Sequence, residues 1–170
     1  MKRTAKQRQH DAKVRSGIQA SLDGKALRIG IVCARFNREI TEQLEAGAVR
    51  RLLELGVAEK NIRLVSVPGA VEIPLAAKAL LKSGVDSVIT LGCVIRGETT
   101  HYESVCTSVE RGCTHLQLEL LKPIVFGVLT VENMEQALDR VGGHHGHKGE
   151  EAAEVAIEMC NLLRAIKKQG

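Results

Sequence analysis

Short, mostly apolar runs alternate along this chain with longer stretches of helical period, and this alternation restricts the fold more than any other feature. Ala26–Cys33 (ALRIGIVC), Ile62–Val67, Ser87–Ile95 and Pro123–Leu129 are too short for helices and show too little alternation for strands with one wet face. Such runs suit parallel strands buried on both sides. Over Glu39–Leu55, Ile40, Leu44, Ala48, Leu52 and Leu55 recur at helical spacing, and Gly56 supplies a stop. Pro74 fits the first turn of a helix reaching Lys82, with Gly84 closing it. A long helix is expected over His101–Leu121, a short one over Asn133–Arg140 and a last one over Gly149–Lys168. The order is strand then helix, four times, plus a terminal helix. Right-handed crossovers turn it into an α/β domain of three αβα layers, with a four-stranded parallel sheet in the middle.

One domain of this kind accounts for 170 residues. Hydrophobic residues make up 44% of the chain, enough for a sizeable core, yet no apolar run approaches the ~18–20 residues of a membrane span. The first residues, MKRTAKQRQHDAKVRSG, lack the apolar core of a secretory signal. Their basic, acid-poor character also suits an organelle-targeting peptide, but a disordered basic tail over residues 1–25, ahead of a domain over residues 26–170, is the simpler expectation. The net charge of +4 is concentrated there: residues 1–28 hold eight of the 24 Lys and Arg but two of the 20 Asp and Glu. The remainder is slightly acidic, so neither nucleic acid nor a membrane is expected as a partner. The cysteines, Cys33, Cys93, Cys106, Cys113 and Cys160, are odd in number and form no C-x-x-C pair. Buried free thiols in a reducing cytoplasm are the expectation.

In a doubly covered parallel sheet, ligands collect beyond the carboxyl ends of the strands. The segments of interest are therefore Ala34–Asn37, Pro68–Pro74, Arg96–His101 and Thr130. The chain has only three aromatic residues, Phe36, Tyr102 and Phe126, each at or near a turn or strand end. Phe36 can stack on a flat heterocycle or pack against the sheet edge. In Val-Pro-Gly-Ala-Val-Glu-Ile-Pro the two prolines stiffen a turn, and Gly69 admits close approach of a ligand. Glu72 opens the following helix, serving a ligand or merely complementing the helix dipole.

Leu91–His101 (LGCVIRGETTH) is the richest segment. A helix start offers unpaired N–H groups and a positive dipole end to an anion. Glu98, Thr99, Thr100 and His101 add a carboxylate, two hydroxyls and an imidazole, so a phosphate and a proton-transfer group can share the site. The threonines can equally be plain caps. The pattern G-x-x-x-x-G-K-[ST] is absent, which excludes a Walker-type loop. Near the C-terminus, His144, His145 and His147 suggest a metal, but their glycine-rich flanks suggest a loop, and no Cys or carboxylate cluster accompanies them. No functional metal is expected. Arg140 and Lys148 bracket that loop as phosphate partners or as solvated cations.

Taken together, ARFN at 34–37, VPGAVEIP at 67–74, GCVIRGETTHYE at 92–103, FGVLT at 126–130 and the R-x-x-G-x-x-G-x-K-G-x-E-A-A frame from Arg140 to Ala153 closely resemble the lumazine synthases. The similarity runs in order over about residues 26–168. It implies a flavodoxin-like sheet and a transferase of riboflavin biosynthesis. That enzyme joins 5-amino-6-(D-ribitylamino)uracil to (3S)-3,4-dihydroxy-2-butanone 4-phosphate. The product is 6,7-dimethyl-8-ribityllumazine, with release of phosphate and water and with no metal or organic cofactor.

By this resemblance Phe36 stacks on the pyrimidine, while Ala70, Val71 and Glu72 hold the ribityl chain and ring edge. Cys93, Val94 and Ile95 line the ring pocket. Glu98, Thr99, Thr100 and Arg140 bind the phosphate, and His101 moves protons. Phe126, Arg140 and Lys148 are similar to residues lent across a subunit boundary. The implied partners are small-molecule substrates, further copies of the chain as a pentamer or as twelve pentamers in a hollow shell, and riboflavin synthase. Tyr102 is left as a packing residue.

The chemistry suits these residues. The substrate amine is already a nucleophile, so the protein mainly supplies proximity. An imidazole can take and give protons near neutrality. Val71 departs from the family, whose members often carry an aromatic there, and Gly143–His147 replaces the usual Thr-Lys-Ala-Gly-Asn type. The spacing from Arg140 to Lys148 resembles that of shell-forming members. A binding homologue without catalysis and a generic flavodoxin-like FMN domain remain as alternatives.

Overall fold

A computed structural model describes residues 17–18 and 20–169; most of the expected tail, residues 1–16, lies outside it. Four parallel strands, β1 (Ile29–Ala34), β2 (Ile62–Val67), β3 (Ser87–Ile95) and β4 (Ile124–Val131), form one sheet in the order β2-β1-β3-β4. Helices α1 (Arg38–Glu54) and α5 (Lys148–Gln169) cover one face, and α2 (Ile73–Lys82) and α3 (His101–Leu120) cover the other. The expected three-layer α/β architecture is the one observed.

The sheet order explains the apolar runs. Central β1 is buried at every residue. Its pleat sends Ile29, Ile31 and Cys33 towards α1 and α5, and Val32 and Ala34 towards α2 and α3. In β3, Ile89, Leu91 and Cys93 take the first side and Val88 the second. The polar side chains within the sheet are satisfied: Thr90 donates to the Val125 carbonyl at 2.8 Å, and Ser87 to the Pro123 carbonyl at 3.0 Å.

Three features of the sheet differ from expectation. Edge strand β2 is not covered along its length: Arg63, Leu64 and Ser66 are exposed, because only β1 flanks it. β1 begins after Ala26, whose left-handed backbone (φ 61) breaks the strand. β4 runs past Leu129, so Thr130 lies inside the strand, and Phe126 points outward from its middle.

The glycine-rich segment is a small hairpin rather than an open loop. It follows the short helix α4 (Met134–Leu138) and pairs β5 (Val141–Gly143) with β6 (Gly146–His147) in antiparallel fashion. Gly142 (φ 121) and Gly146 (φ 72) adopt backbone conformations that favour glycine. Asp139 accepts the His144 N–H and pairs with the His145 ring. His147 instead turns towards Gly47 on α1. Among the described residues, no three His, Cys, Asp or Glu side chains converge as metal ligands, and no helix is long and apolar enough to cross a membrane. Before β1, Asn161 on α5 donates to the Ser21 and Asp23 carbonyls at 2.8 and 3.0 Å.

Candidate active site

The strands run parallel, so their carboxyl ends share one side of the sheet. A cavity of about 370 Å³ opens there. Ala34 at the end of β1 and Phe36 just past it line the cavity, and Gly69, Ala70, Val71 and Glu72 line it from beyond β2. Cys93, Val94 and Ile95 form its floor, and Gly97, Thr99, His101, Tyr102 and Val105 continue the wall. Three of the four segments singled out in the sequence meet here; Thr130 is not in the lining. The volume suits a small organic molecule.

Phe36 owes its place to Asn37. That residue caps α1 in the left-handed region (φ 56, ψ 50), where asparagine is among the few residues at ease. Its Nδ2 donates to the Cys93 carbonyl at 2.9 Å, tying the end of β1 to the end of β3. Phe36 is 70% exposed, so its ring is not packed against the sheet edge.

The Pro-Gly segment forms one 3₁₀ turn, Ala70–Glu72, and α2 starts at Ile73 rather than at Glu72. The Glu72 carboxylate accepts the Gly69 N–H at 2.9 Å and closes the turn on itself. A Cβ at Gly69 would come within 3.2 Å of Glu72 Oε2, so glycine keeps that carboxylate seated. Gly112 of α3 lies against Pro74, where a Cβ would sit 2.6 Å from Pro74 Cγ. Glycine is a poor helix former, so its place in α3 is explained only by this contact.

The turn between β3 and α3 is exposed from Arg96 to Thr100. The threonines do little capping. Thr100 at the N-cap makes no side-chain cap bond, and Thr99 Oγ1 accepts the His101 N–H only at 3.4 Å. The first N–H groups of α3 therefore stay open to an anion. Glu98 and Thr100, expected at the phosphate, are exposed but do not line the cavity. Tyr102, expected only to pack, lines it, and the Arg96 guanidinium lies 4.2 Å from its ring centre.

Phe126, Lys148 and Arg140 are not among the cavity's lining residues. Phe126 and Lys148 share a separate hollow of about 190 Å³ with Glu151 and Val155. Lys148 pairs with Glu151 at 2.7 Å. Arg140 donates to the Gln136 carbonyl at 2.8 Å and has no carboxylate partner among the described residues.

Comparison with known proteins decides the family. The family model for 6,7-dimethyl-8-ribityllumazine synthase matches residues 26–164. A relative from Bdellovibrio bacteriovorus, 6,7-dimethyl-8-ribityllumazine synthase, is 55% identical over 140 residues, which is 82% of this chain and 77% of that protein. The chain belongs to the lumazine synthase family. It is a transferase of riboflavin biosynthesis, condensing 5-amino-6-(D-ribitylamino)uracil with (3S)-3,4-dihydroxy-2-butanone 4-phosphate.

A lumazine synthase needs no protein nucleophile, since the substrate brings its own amine. The cysteine beside the cavity, Cys93, fits that requirement: its side chain packs on the α1 and α5 side of β3, and burial pushes it up to about 11, leaving it neutral at working pH. Asn37 and Tyr102 are the residues that sequence reasoning passed over. A hint existed for Asn37, since asparagine stood directly before a periodic helix. For Tyr102 the helical period alone gave none.

Proposed function

We propose that condensation takes place in the cavity beyond β1 and β3, and that a second copy of the chain completes it. The carrying observation is that one apolar cavity joins the exposed Phe36 ring, the closed Ala70–Glu72 turn and the uncapped start of α3 at His101. Phe36 stacks on the pyrimidine over a floor of Cys93, Val94 and Ile95. Ala70, Val71 and Glu72 hold the ribityl chain through backbone groups and the carboxylate. The turn bearing Glu98, Thr99 and Thr100 receives the phosphate at the N–H groups of α3.

The reaction follows from this placement. The uracil 5-amino group attacks the ketone carbon, and the carbinolamine loses water to give an imine. Loss of the C3 proton expels phosphate and leaves an enol, which tautomerises to a ketone; the ribityl-bearing nitrogen attacks that carbon and closes the second ring with loss of water. His101 takes the proton released by the attacking amine and returns protons to departing oxygen. Most of the acceleration comes from holding the two reactants together.

Phe126, Arg140 and Lys148 would serve the cavity of a neighbouring copy, with Arg140 as the phosphate's cation. Their placement outside the cavity of their own chain supports this reading, as does the exposure of both phenylalanines. The assembly is then a homopentamer, and the spacing from Arg140 to Lys148 favours twelve pentamers in a hollow shell able to associate with riboflavin synthase. Free thiols suit a cytoplasmic location. Within the proposed N-terminal tail, residues 1–25, Ser21 and Asp23 are held by Asn161 of α5.

The first test supplies both substrates to purified protein and follows the product's fluorescence. A folded protein that makes no lumazine overturns the assignment. The second test assembles rings from Phe36→Ala and Arg140→Ala chains together. Shared sites predict activity of about a quarter of wild type, well above either variant alone, because one boundary in four pairs two intact halves. Mixed rings no better than the parents would place the whole site in one chain.

A further inference from the structure

The turn assigned to the phosphate is barely held by its own side chains. Gly97–Thr100 is exposed, a Cβ at Gly97 would meet nothing within 4 Å, and Thr100 makes no cap bond. Arg96 spans it instead. Its backbone N–H donates to the Val131 carbonyl at 2.9 Å, fixing the start of the turn to the end of β4. Its side chain reaches the far end of the turn. The guanidinium pairs with Glu103 in the first turn of α3, lies 4.2 Å from the Tyr102 ring centre, and places Nε 2.8 Å from Glu132 Oε2 just past β4.

One planar group thereby joins the three elements that frame the turn. Arginine suits the position because its rigid fork can engage two carboxylates while its face lies on an aromatic ring, which a lysine ammonium cannot do. Two carboxylates already answer its charge, so Arg96 is not the phosphate's own cation. The same pairing holds the Glu103 carboxyl below its ordinary range. The clasp is therefore in place before any ligand arrives.

We infer that Arg96 is a positioning residue: it clamps Tyr102 and Glu103 against the end of β4, sets the opening of the Gly97–Thr100 turn beside His101, and so governs binding of the phosphate-bearing substrate. The inference rests on the assignment of that turn to the phosphate.

The test measures kcat and both KM values for full-length Arg96→Met, Arg96→Lys and the double variant Arg96→Met/Glu103→Gln, with inorganic phosphate as a competing ligand. Arg96→Met should raise the KM of the four-carbon phosphate about tenfold and weaken phosphate inhibition in parallel, while the pyrimidine KM moves less than about twofold. Arg96→Lys should recover only part, since charge returns without the fork. Adding Glu103→Gln to Arg96→Met should cost nothing further, because the two side chains act as one unit.

A merely structural role would instead lower the active fraction and Tm with no preference between substrates. Should Arg96→Met fail to fold, the split between the two KM values in Arg96→Lys carries the same decision. Both KM values unchanged, or raised equally, would overturn the clasp. Failure of phosphate to compete with the four-carbon substrate in wild type would overturn the reading of the turn itself, and the clasp with it. Competition in wild type with an unshifted Arg96→Met would overturn the clasp alone.

Discussion

The rim beyond β1 and β3 and the surface that bears Phe126, Arg140 and Lys148 differ in how they are held. At the rim, bonds tie one strand end or turn to another: Asn37 to the Cys93 carbonyl, and Arg96 to Glu103 and Glu132. On the other surface the bonds are local. Arg140 bonds one turn back to Gln136, and Lys148 pairs three residues on with Glu151. The rim is shaped within one chain. The other surface offers a ring and two cations, which in the proposed assembly would meet a substrate only where that surface docks. On the proposed reading, a slot for a flat ring is finished by one fold, while the groups that answer charge would be brought by assembly.

The most damaging change should come from the surface that the cavity lacks. Arg140→Ala should lower kcat/KM about a hundredfold by removing a fixed cation from the departing phosphate. Its fold should stay intact, since among the described residues the one side-chain bond lost is to an exposed carbonyl. Steady-state kinetics near wild type would leave the second surface without a catalytic role and break the comparison.

At the rim, Asn37→Ala should cost about 1–2 kcal/mol of stability, because alanine tolerates the left-handed backbone poorly and the Cys93 carbonyl loses its partner. It should also raise the pyrimidine KM several-fold by loosening Phe36. Denaturant melts and kinetics would show both effects, and a stable variant with wild-type KM would mean that the rim is not preorganised through this bond.

His101→Ala should lose about tenfold in kcat, less than Arg140→Ala, since solvent can replace part of a proton shuttle whereas it cannot replace orientation. A loss larger than that of Arg140→Ala would reverse the ranking of the two regions. The smallest effect concerns the thiols. Burial pushes Cys33 up to about 12, and Cys93, Cys113 and Cys160 up to about 11. Native protein at pH 8 should leave these four unalkylated by mass spectrometry, and rapid labelling of Cys93 would show a cavity wall that opens.

What could be read from the sequence was whatever lay in runs. Ala26–Cys33 and Ser87–Ile95 announced strands buried on both faces, because such burial removes alternation. β2 was read as though it were central, although Arg63 and Ser66 marked an edge. The turn segments were found from topology, because ligands gather at strand ends. The contacts inside them were out of reach: Asn37 acts through a carbonyl on β3, and Arg96 through a carboxylate after β4, and neither partner is near in sequence. The hairpin at Gly142–His147 escaped because strands of two or three residues have no period to detect. Arg140, Lys148 and Phe126 were tied to a neighbouring subunit only through family likeness. Nothing in their local pattern points to a second chain.

The buried thiol of Cys93 has one more consequence. An α-hydroxyketone is an electrophile, and a thiolate beside it would add to the carbonyl and lock the substrate as a thiohemiketal. A thiol pushed up to about 11 is ionised at pH 7 only on the order of one part in ten thousand. With its side chain packed on the α1 and α5 side of β3 and held neutral, Cys93 would not compete with the substrate's amine in the proposed cavity.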